Sequence, residues 1–599
     1  DQETPVIEQT AVIENDRQKV EVSVVKQDAG NETPIAGAEF GLYAKKDIEA
    51  QGTVIVKADT LLGKAVSDKK GKAVFTADVP FGEYYIRELK APKGYVLSDE
   101  VLEVKAEYEG QDVKVVRVSS VFKNQPTKVV ISKSDLTTGV ELSGATLTVL
   151  DRDGKVVDTW KSVKGEQHLI ERLAVGETYT LCEEMAPYGY LRAEEITFTI
   201  KDTGEIQKVE MKDDVPKGTI IINKNGEFLE KVTLLDSVGG WISHLFQYVA
   251  GNLSDVTFEV YAMEDVKAAD GESEDYYKKD ELVATITTDA AGIATVSDLP
   301  LGKYYVKEKS TVDGFILDEK SREIDLTYRD QDTAEVTYSS DWQNNRQKVE
   351  VEVLKKAKGS DWMLEGAVFA LCAKEDITGT DGKVILKADT IIEELATDND
   401  GKLIFTADLP IGFTYYIKET SPAPGFVTTE KVQEFTFDYE GPEKKKVSYS
   451  FTFENEPTKI QISKTDISGK ELPGAKLTIL DKDGKVMESW TSGKEPHYIE
   501  MLPIGEYTLH EESAPEGYLV AEDVKFTVKD TGEIQKVVMK DEAEPEGTPE
   551  KTPTPGNPSS QVTDTPKTGD ETHMLLWILL AIAGLAGTVS AVWTVRKKE

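Results

Sequence analysis

Short segments in which apolar and polar residues alternate recur along almost the whole chain. Clear examples lie at 20–25, 147–150, 177–183, 304–308 and 448–453, and Gly, Pro, Asp and Asn separate such segments from one another. Because successive side chains of a β-strand point to opposite faces of its sheet, this period of two indicates strands with one buried face. Helical spacing occurs only in an insertion near the middle of the chain and in the C-terminal tail. The pattern therefore predicts an all-β protein outside those two places.

The strand segments belong to two kinds of repeated module. Residues 36–43 (AGAEFGLY) resemble residues 366–372 (GAVFALC), and residues 198–214 nearly repeat residues 526–542. Repeats of this length with short connections indicate a linear array of domains, and modules of about 90 to 130 residues built from short strands are typical of antiparallel β-sandwiches. The predicted domains are 19–125, 126–214, 217–345, 346–456 and 457–542, which we number modules 1 to 5.

Module 3 carries an insertion at residues 226–253. Its apolar residues recur at helical spacing, which predicts an amphipathic helix. They are Leu235, Val238, Trp241, Ile242, Leu245, Phe246 and Val249. We expect this helix to pack against its own sandwich. The alternative is that it forms a site for a host ligand or for a neighbouring subunit.

The two ends of the chain differ from the modules. Residues 13–20 (IENDRQKV) echo residues 342–349 (WQNNRQKV) at a module junction, so residues 1–18 are interpreted as the end of a truncated preceding module. Residues 543–564 are rich in Pro, Glu and Thr, which predicts an extended linker. The apolar run 574–595 would be about 33 Å long as a helix, which is enough to span a bilayer. The basic residues after it would remain cytoplasmic.

The composition narrows the possible partners and chemistry. The 599 residues include 70 basic and 109 acidic side chains, a formal net charge of −39, which disfavours nucleic acid as a partner. The two cysteines, Cys182 and Cys372, fall in different modules, so no disulfide framework or cysteine-rich metal site is expected. The five histidines are scattered, and no metalloprotease, hydrolase or nucleotide-binding motif occurs. We therefore expect no cofactor, no metal and no enzyme that turns over a substrate.

One chemical pattern recurs in every module: a lysine, then a glutamate, then an asparagine or an aspartate. The five sets are Lys26/Glu88/Asn124, Lys133/Glu183/Asp213, Lys224/Glu308/Asn344, Lys355/Glu419/Asn455 and Lys464/Glu511/Asp541. Each member lies in step with apolar residues of its strand; Val22 and Val24 precede Lys26, and Phe122 precedes Asn124. Residues i and i+2 of a strand share a face, so all fifteen side chains are predicted to point into a core.

These three residue types can react with one another when they are buried together. A buried lysine is costly unless it is paired, and desolvation lowers the pKa of an amine while raising the pKa of a carboxyl group. A neutral amine is a nucleophile, and a protonated glutamate can polarise the Asn or Asp carbonyl and relay protons. The product is an amide, formed once per module with loss of ammonia or water. The alternative is a buried hydrogen-bonded network without a covalent bond.

The residues around three of the glutamates match a known motif. Segments 88–95 (ELKAPKGY), 183–190 (EEMAPYGY) and 511–518 (EESAPEGY) follow the pattern E-x-x-A-P-x-G-Y, whereas the segments that begin at Glu308 (EKSTVDGF) and Glu419 (ETSPAPGF) depart from it. The pattern resembles the glutamate box of SpaA-type, or Cna protein B-type, domains of pilins and adhesin stalks. This resemblance covers about residues 19–542. It implies an array of five prealbumin-like antiparallel β-sandwiches, each with a Lys–Asn or Lys–Asp isopeptide bond promoted by its glutamate.

A second resemblance concerns the tail. Thr565, Pro566, Lys567, Thr568 and Gly569 precede the apolar run, and Arg596-Lys597-Lys598 follow it. This arrangement resembles the sorting signal of Gram-positive surface proteins, Leu-Pro-x-Thr-Gly, although a threonine stands in place of the leucine. The resemblance implies that a sortase cuts between Thr568 and Gly569 and joins the threonine to peptidoglycan. The alternative is an uncut single-pass membrane anchor.

These patterns together predict a mechanical protein of the bacterial surface. We expect a secreted, wall-anchored stalk of an adhesin, whose precursor the C-terminal helix holds in the membrane. The alternative is a shaft or base subunit of a sortase-assembled pilus, although the Tyr-Pro-Lys-Asn motif that pilins of this family often carry is absent. Expected partners are sortase and peptidoglycan, with a host extracellular ligand or other pilus subunits as further candidates.

Overall fold

The computed structural model describes residue 12, residues 14–235 and residues 240–545. Within these residues all regular secondary structure is β, and the strands fall into five groups. Module 1 contains β1 (Lys19–Asp28), β2 (Glu39–Ala44), β3 (Ile48–Ala50), β4 (Thr53–Val56), β5 (Leu61–Val66), β6 (Lys72–Val74), β7 (Gly82–Lys90), β8 (Val101–Ala106) and β9 (Val115–Asn124). Module 2 contains β10 (Lys128–Asp135), β11 (Thr146–Leu150), β12 (Val156–Lys161), β13 (His168–Glu171), β14 (Thr178–Met185), β15 (Ile196–Thr199) and β16 (Ile206–Asp213).

The remaining modules repeat this order of strands. Module 3 contains β17 (Lys217–Leu235), β18 (Ser243–Asn252), β19 (Thr257–Ala262), β20 (Leu282–Thr287), β21 (Ile293–Pro300), β22 (Gly302–Ser310), β23 (Arg322–Leu326) and β24 (Glu335–Asn344). Module 4 contains β25 (Lys348–Ala357), β26 (Val368–Ala373), β27 (Ile377–Thr378), β28 (Val384–Leu386), β29 (Ile391–Ala396), β30 (Lys402–Phe405), β31 (Thr414–Ser421), β32 (Val432–Thr436) and β33 (Lys446–Asn455). Module 5 contains β34 (Lys459–Asp466), β35 (Lys476–Asp481), β36 (Val486–Thr491), β37 (His497–Glu500), β38 (Gly505–Ser513), β39 (Val524–Val528) and β40 (Ile534–Asp541).

Each module is a sandwich of a three-stranded sheet and a four-stranded sheet. In module 1 the orders are β6-β1-β9 and β5-β2-β7-β8. The same two orders, shifted along the chain, recur in module 2 (β13-β10-β16 and β12-β11-β14-β15) and in module 5 (β37-β34-β40 and β36-β35-β38-β39). The inward residues of the alternating segments fill the space between the sheets; Val24, Phe40, Ile86 and Phe122 are at most 1% exposed, for example. The all-β array predicted from the sequence is confirmed.

The first and last strands of each module lie side by side and run parallel. In module 1, β1 pairs with β9 from Lys19 opposite Val115 to Asp28 opposite Asn124. The pairs β10/β16, β17/β24, β25/β33 and β34/β40 have the same direction. The chain enters a module at the start of one strand of the pair and leaves at the end of the other. A pull along the chain therefore shears these two neighbouring strands past each other.

The predicted helix at residues 226–253 is wrong. The structure has a β-hairpin there, in which β17 continues to Leu235 and pairs with β18 in an antiparallel ladder. The apolar residues imitate helical spacing because both faces of the hairpin carry them. Phe246 is 3% exposed on one face, whereas Leu245 and Val249 are 43% and 42% exposed on the other.

Most of the hairpin packs on module 4, and only its base, at Phe228, packs on its own sandwich, so the predicted packing holds for that base alone. Leu229 and Phe246 belong to the apolar core of module 4. Ser243 of β18 pairs with Glu393 of β29, and the amide of Glu394 donates a hydrogen bond of 2.9 Å to the carbonyl of Ile242. The hairpin thus adds a strand beside the four-stranded sheet of module 4 and braces the two modules against each other.

Several predictions concern residues that the structure does not describe. The wall linker is described only for residues 543–545, and the sorting motif 565–569 and the apolar run 574–595 lie outside the described residues, as do most of residues 1–18. Among the residues that are described, no helix is long and apolar enough to cross a membrane.

Candidate crosslinking sites

The topology of the sandwich brings each lysine, glutamate and Asn or Asp together from three strands. The lysine lies on the first strand, and the Asn or Asp is the last residue of the last strand, so the parallel pair carries both. The glutamate lies on the strand of the facing sheet that contains the glutamate box, namely β7, β14, β22, β31 or β38. None of the fifteen predicted residues is more than 6% exposed. The structure therefore places all five predicted sets as contiguous buried clusters.

In module 1 the three side chains contact one another directly. Lys26 Nζ donates a hydrogen bond to Asn124 Oδ1 and lies 2.9 Å from Glu88 Oε1. Asn124 Nδ2 donates to the same carboxylate, at 2.9 Å from Oε1 and 2.7 Å from Oε2. Glu88 thus touches both the amine of Lys26 and the amide nitrogen of Asn124. A carboxyl group in this position can accept a proton from the first nitrogen and deliver one to the second.

The other modules repeat these contacts between lysine, glutamate and Asx. The lysine Nζ lies 2.9 Å from Glu183, 2.6 Å from Glu308, 2.9 Å from Glu419 and 2.8 Å from Glu511. It also donates a hydrogen bond to the Asx side chain in each case, pairing Lys133 with Asp213, Lys224 with Asn344, Lys355 with Asn455 and Lys464 with Asp541.

In four modules a backbone amide fixes the orientation of the glutamate. The second carboxylate oxygen, Oε2, accepts a hydrogen bond from the N–H of the residue ten positions further along the chain. The donors are Ser98 at 2.9 Å and Ala193, Thr429 and Ala521 at 2.7 Å. The glutamate box carries the carboxyl group, and the loop that follows the box orients it by supplying this N–H. A backbone donor leaves no residue signature, so this contact cannot be found from the sequence.

Module 3 holds its glutamate differently. Glu308 Oε2 accepts from Lys224 Nζ at 2.6 Å, and Asn344 Nδ2 donates both to Glu308 Oε1 and, at 2.9 Å, to Thr311 Oγ1. Thr311 stands where the motif has alanine, at the fourth position of the box. The threonine that departs from the motif in this copy therefore contacts the asparagine of the site directly.

Burial controls the protonation of the lysines in the three asparagine modules. Desolvation lowers the pKa of Lys26, Lys224 and Lys355, and the neighbouring glutamate opposes this shift without cancelling it. Aromatic rings contribute to the apolar surroundings; Lys26 Nζ lies 5.6 Å from the ring centre of Phe40 and 5.3 Å from that of Phe122. A lowered pKa increases the fraction of neutral amine, which is the form that can attack a carbonyl.

In the two aspartate modules it is the pKa of the aspartate carboxyl group that burial shifts. Desolvation raises the pKa of Asp213 to about 7, against the pull of Lys133, and it also raises the pKa of Asp541. The Oδ2 atoms of both aspartates are buried without a hydrogen-bond partner. A proton on the aspartate would turn each of these atoms into a donor facing the neighbouring glutamate. A protonated aspartate is also the form that can lose water on attack by an amine.

Replacement of Asp213 by asparagine should change both the leaving group and the pH dependence in module 2. An amide-forming reaction in wild-type module 2 would need protonated Asp213, whose pKa is about 7, so its rate should fall as the pH rises through that value. The uncrosslinked wild-type module should also lose stability as the pH rises toward that value, because Asp213 has a higher pKa in the folded state than in the unfolded state and its proton is then released. Asp213→Asn should lose ammonia in place of water and should not show this decline. Chain kept unfolded from synthesis and then refolded at a series of pH values allows both products to be followed by mass. Equal pH profiles for the two proteins would contradict the assignment.

Metal sites and nucleophilic cysteines are two further kinds of site that the described residues could form. No group of three or more His, Cys, Asp or Glu side chains is arranged to hold a metal ion in this part of the chain. Cys182 is buried, and desolvation raises the pKa of its thiol to about 11, so this cysteine is unreactive. Cys372 is also buried, and burial raises the pKa of its thiol as well.

Comparison with known protein families identifies the modules. The family described as SpaA, prealbumin-like fold domain, matches residues 20–119, 127–215, 249–342, 349–450 and 458–543. The match in module 3 begins within β18 and leaves out the strand that carries Lys224.

Individual relatives are more distant. The trypsin-resistant surface T6 protein of Streptococcus pyogenes serotype M6 is 34% identical over 94 residues, which are 16% of this chain and 15% of that protein. The chain thus spans only a small part of that curated relative. Among solved structures, the Bacillus anthracis TIE protein is 20% identical with a TM-score of 0.36, covering 69% of this chain and 73% of that one. BcpA, the major pilin subunit of Bacillus cereus, is 14% identical with a TM-score of 0.25, covering 55% of this chain and 100% of that one.

Proposed function

Because the chain belongs to the family of SpaA prealbumin-like fold domains, we propose that it is the structural stalk of a bacterial surface protein, stiffened by one internal isopeptide bond in each module. The observation that carries this proposal is the fivefold recurrence of a buried lysine, glutamate and Asx in direct contact across the first and last strands. Burying a lysine costs free energy even when a carboxylate pairs with it, and this cost recurs in all five modules.

The reaction in an asparagine module follows from the contacts of module 1. The neutral Lys26 amine attacks Cγ of Asn124, and a new bond forms between Nζ and Cγ. Glu88, which touches both nitrogens, takes the proton from Nζ and delivers a proton to Nδ2 of Asn124, which leaves as ammonia. In an aspartate module, the side-chain hydroxyl leaves as water. Each site reacts once, so the glutamate promotes a single self-modification and there is no turnover.

The covalent bond would change how tension passes through a module. Lys26 and Asn124 are 98 residues apart in sequence, yet they lie together near the ends of neighbouring strands. Tension that enters β1 would cross to Asn124 through the bond and leave, and the chain between them would carry no load. Closing a loop of this size also stabilises the fold by about 4–5 kcal/mol through loss of unfolded-state entropy.

The sequence supports attachment of this stalk to the cell wall. The motif from Thr565 to Gly569, the apolar run and the basic end together resemble a sorting signal. Sortase and peptidoglycan are therefore the proposed partners, and the C-terminal helix is the proposed membrane contact of the precursor. A pilus subunit is the second candidate, because an array of SpaA prealbumin-like fold domains is consistent with a pilus subunit as well as with a stalk.

Peptide mapping tests the proposed bonds. A protease digest of the denatured protein should contain five branched peptides, each joining the peptide of the lysine to the peptide of the Asn or Asp of the same module. Fragmentation of each branch should locate the bond at the lysine side chain. Recovery of all ten strands as separate linear peptides would refute the proposal.

A further inference from the structure

Each module junction within the described chain uses the loop that follows the strand carrying the glutamate. We call it the exit loop; in modules 1 to 4 it spans residues 91–100, 186–195, 311–321 and 422–431. The N–H two residues after the last aromatic residue of the box donates a hydrogen bond to the following module. At two junctions the acceptor is a side-chain carboxylate: Leu97 N donates to Asp202 Oδ1 at 2.9 Å, and Thr428 N donates to Asp530 Oδ1 at 2.8 Å. These two acceptors belong to modules 2 and 5, which are near repeats of each other.

The junctions in front of modules 3 and 4 use a tyrosine. Tyr328 OH donates to the carbonyl of Tyr190 at 3.1 Å, and Tyr439 OH donates to the carbonyl of Phe315 at 3.0 Å. The residue three positions after each tyrosine accepts the exit-loop N–H through its own backbone carbonyl. The bonds are Arg192 N to Gln331 O at 2.9 Å and Leu317 N to Pro442 O at 3.0 Å. The exit loop is therefore bound in the same way by both modules.

Module 1 has the tyrosine that modules 3 and 4 use to bind the exit loop of the preceding module. Tyr108 in the segment EYEGQD occupies the position of Tyr328 in TYRDQD and Tyr439 in DYEGPE. Phe81, within Pro-Phe-Gly, occupies the position of Leu301 within Pro-Leu-Gly. Both segments line a groove: that of module 3 has a volume of about 220 Å³ and includes Tyr188 of the preceding exit loop, and that of module 1 has a volume of about 610 Å³.

The chain that leads into module 1 has the contacts of a connector between modules. Gln18 Nε2 donates to the carbonyls of Gly110 and Val113. Gln347, in the connector to module 4, donates in the same way to the carbonyls of Gly441 and Lys444.

The ion pairs of the two connectors also correspond. Arg17 and Lys19 both pair with Asp78, as Arg346 and Lys348 both pair with Asp408.

The surface around the connector is less covered in module 1 than in module 4. Tyr108 is 62% exposed and Phe81 is 43% exposed, and among the described residues the hydroxyl of Tyr108 has no hydrogen-bond partner. The side chain of Arg17 is 52% exposed, whereas that of Arg346 is 5% exposed because it stacks 3.6 Å from the ring centre of Tyr248 in the hairpin of module 3. Module 1 thus presents a formed binding surface with two exposed aromatic side chains.

We propose that this face of module 1, formed by Phe81, Tyr108 and Gln111, is a docking site for the exit loop of another prealbumin-like module, whose C-terminal end leads directly into Arg17. The Tyr108 hydroxyl donates to the carbonyl of the last aromatic residue of that loop. The Gln111 carbonyl accepts the N–H two residues further on, as Gln331 does in module 3. The chemistry that is recognised is a Gly–aromatic turn with a free backbone carbonyl and a free backbone N–H.

A chain that supplies such a module tests this proposal. Residues 217–345 are joined directly before Arg17 of the array, which reproduces the Asn345–Arg346 junction because Arg-Gln-Lys-Val follows in both places. Hydroxyl-radical labelling then compares Tyr108 with Tyr439 in the same molecule. Without the added module, Tyr108 should react several-fold faster than Tyr439. With it, the two tyrosines should react equally. Protection of the buried Tyr304 in the added copy shows that this copy is folded.

Two further measurements decide the result. Spin labels on the added module and on module 1 should give a single narrow distance distribution, and Tyr108→Arg should broaden it. Persistent reactivity of Tyr108 beside a folded added module, or a broad distribution in the unsubstituted fusion, overturns the proposal. Protection of Tyr108 that grows with protein concentration in the chain without the added module also overturns it, because the occupant is then a second copy.

Discussion

Glu88→Ala should convert module 1 from an inextensible element into one that unfolds under force. In the wild-type chain the proposed bond between Lys26 and Asn124 would leave no path by which tension can extend the residues between them. Without Glu88 the proton relay is lost and the bond should not form. Stretching single molecules between their ends should then reveal one additional unfolding event. Its gain in length should be about 340 Å, which is 98 residues at about 3.5 Å each.

The control for this experiment is an exposed glutamate of the same module. Glu103→Ala removes a carboxylate whose side chain is 69% exposed, and this variant should stretch as the wild type does. The same additional unfolding event in wild type, Glu103→Ala and Glu88→Ala would mean that module 1 carries no covalent bond in any of them.

Phe246→Ala should destabilise module 4 although the residue belongs to the insertion of module 3. Phe246 is 3% exposed and packs in the core of module 4, and truncation of a buried phenylalanine costs about 3–5 kcal/mol. The loss should appear as faster amide hydrogen exchange in β29, the strand that β18 adjoins.

Val249→Ala provides the matched control for the hairpin. Val249 lies on the same strand and is 42% exposed on the opposite face, so its truncation should change stability by less than about 0.5 kcal/mol. Equal exchange rates of β29 in the two variants would show that the hairpin does not support module 4.

The buried clusters of lysine, glutamate and Asn or Asp could be predicted from sequence because strand register is a local property. A lysine two residues after a buried valine must share the face of that valine, as Lys26 shares the face of Val24. Repetition strengthened the argument, since the same spacing placed Lys133 and Lys464 in the same way. The recurrence of one spacing in five modules supports the assignment more strongly than a single copy would have done.

The hairpin could not be predicted by the same reasoning. Trp241, Leu245 and Val249 recur every four residues, which fits one apolar face of a helix. In the hairpin these residues lie on the partly exposed face. The other face of the hairpin is covered by module 4, which lies more than a hundred residues further along the chain at positions such as Leu371 and Phe405. Periodicity describes one element at a time, so it cannot reveal a partner supplied by another domain.

Two further features could not be predicted from the sequence. They are the parallel pairing of the first and last strands and the backbone donors to the glutamates. Both depend on topology: the amide of Ser98 reaches Glu88 because the exit loop folds back over the site. The motif identified the loop, but the structure was needed to show that the loop orients the carboxyl group and also contacts the next module.

The mass of the denatured chain covering residues 14–545 tests the account most directly. If every site has reacted, the mass falls below that of the encoded sequence by three molecules of ammonia, from modules 1, 3 and 4, and by two molecules of water, from modules 2 and 5. A measured mass equal to that of the encoded sequence would contradict the account, because the lysines would then be held by hydrogen bonds alone.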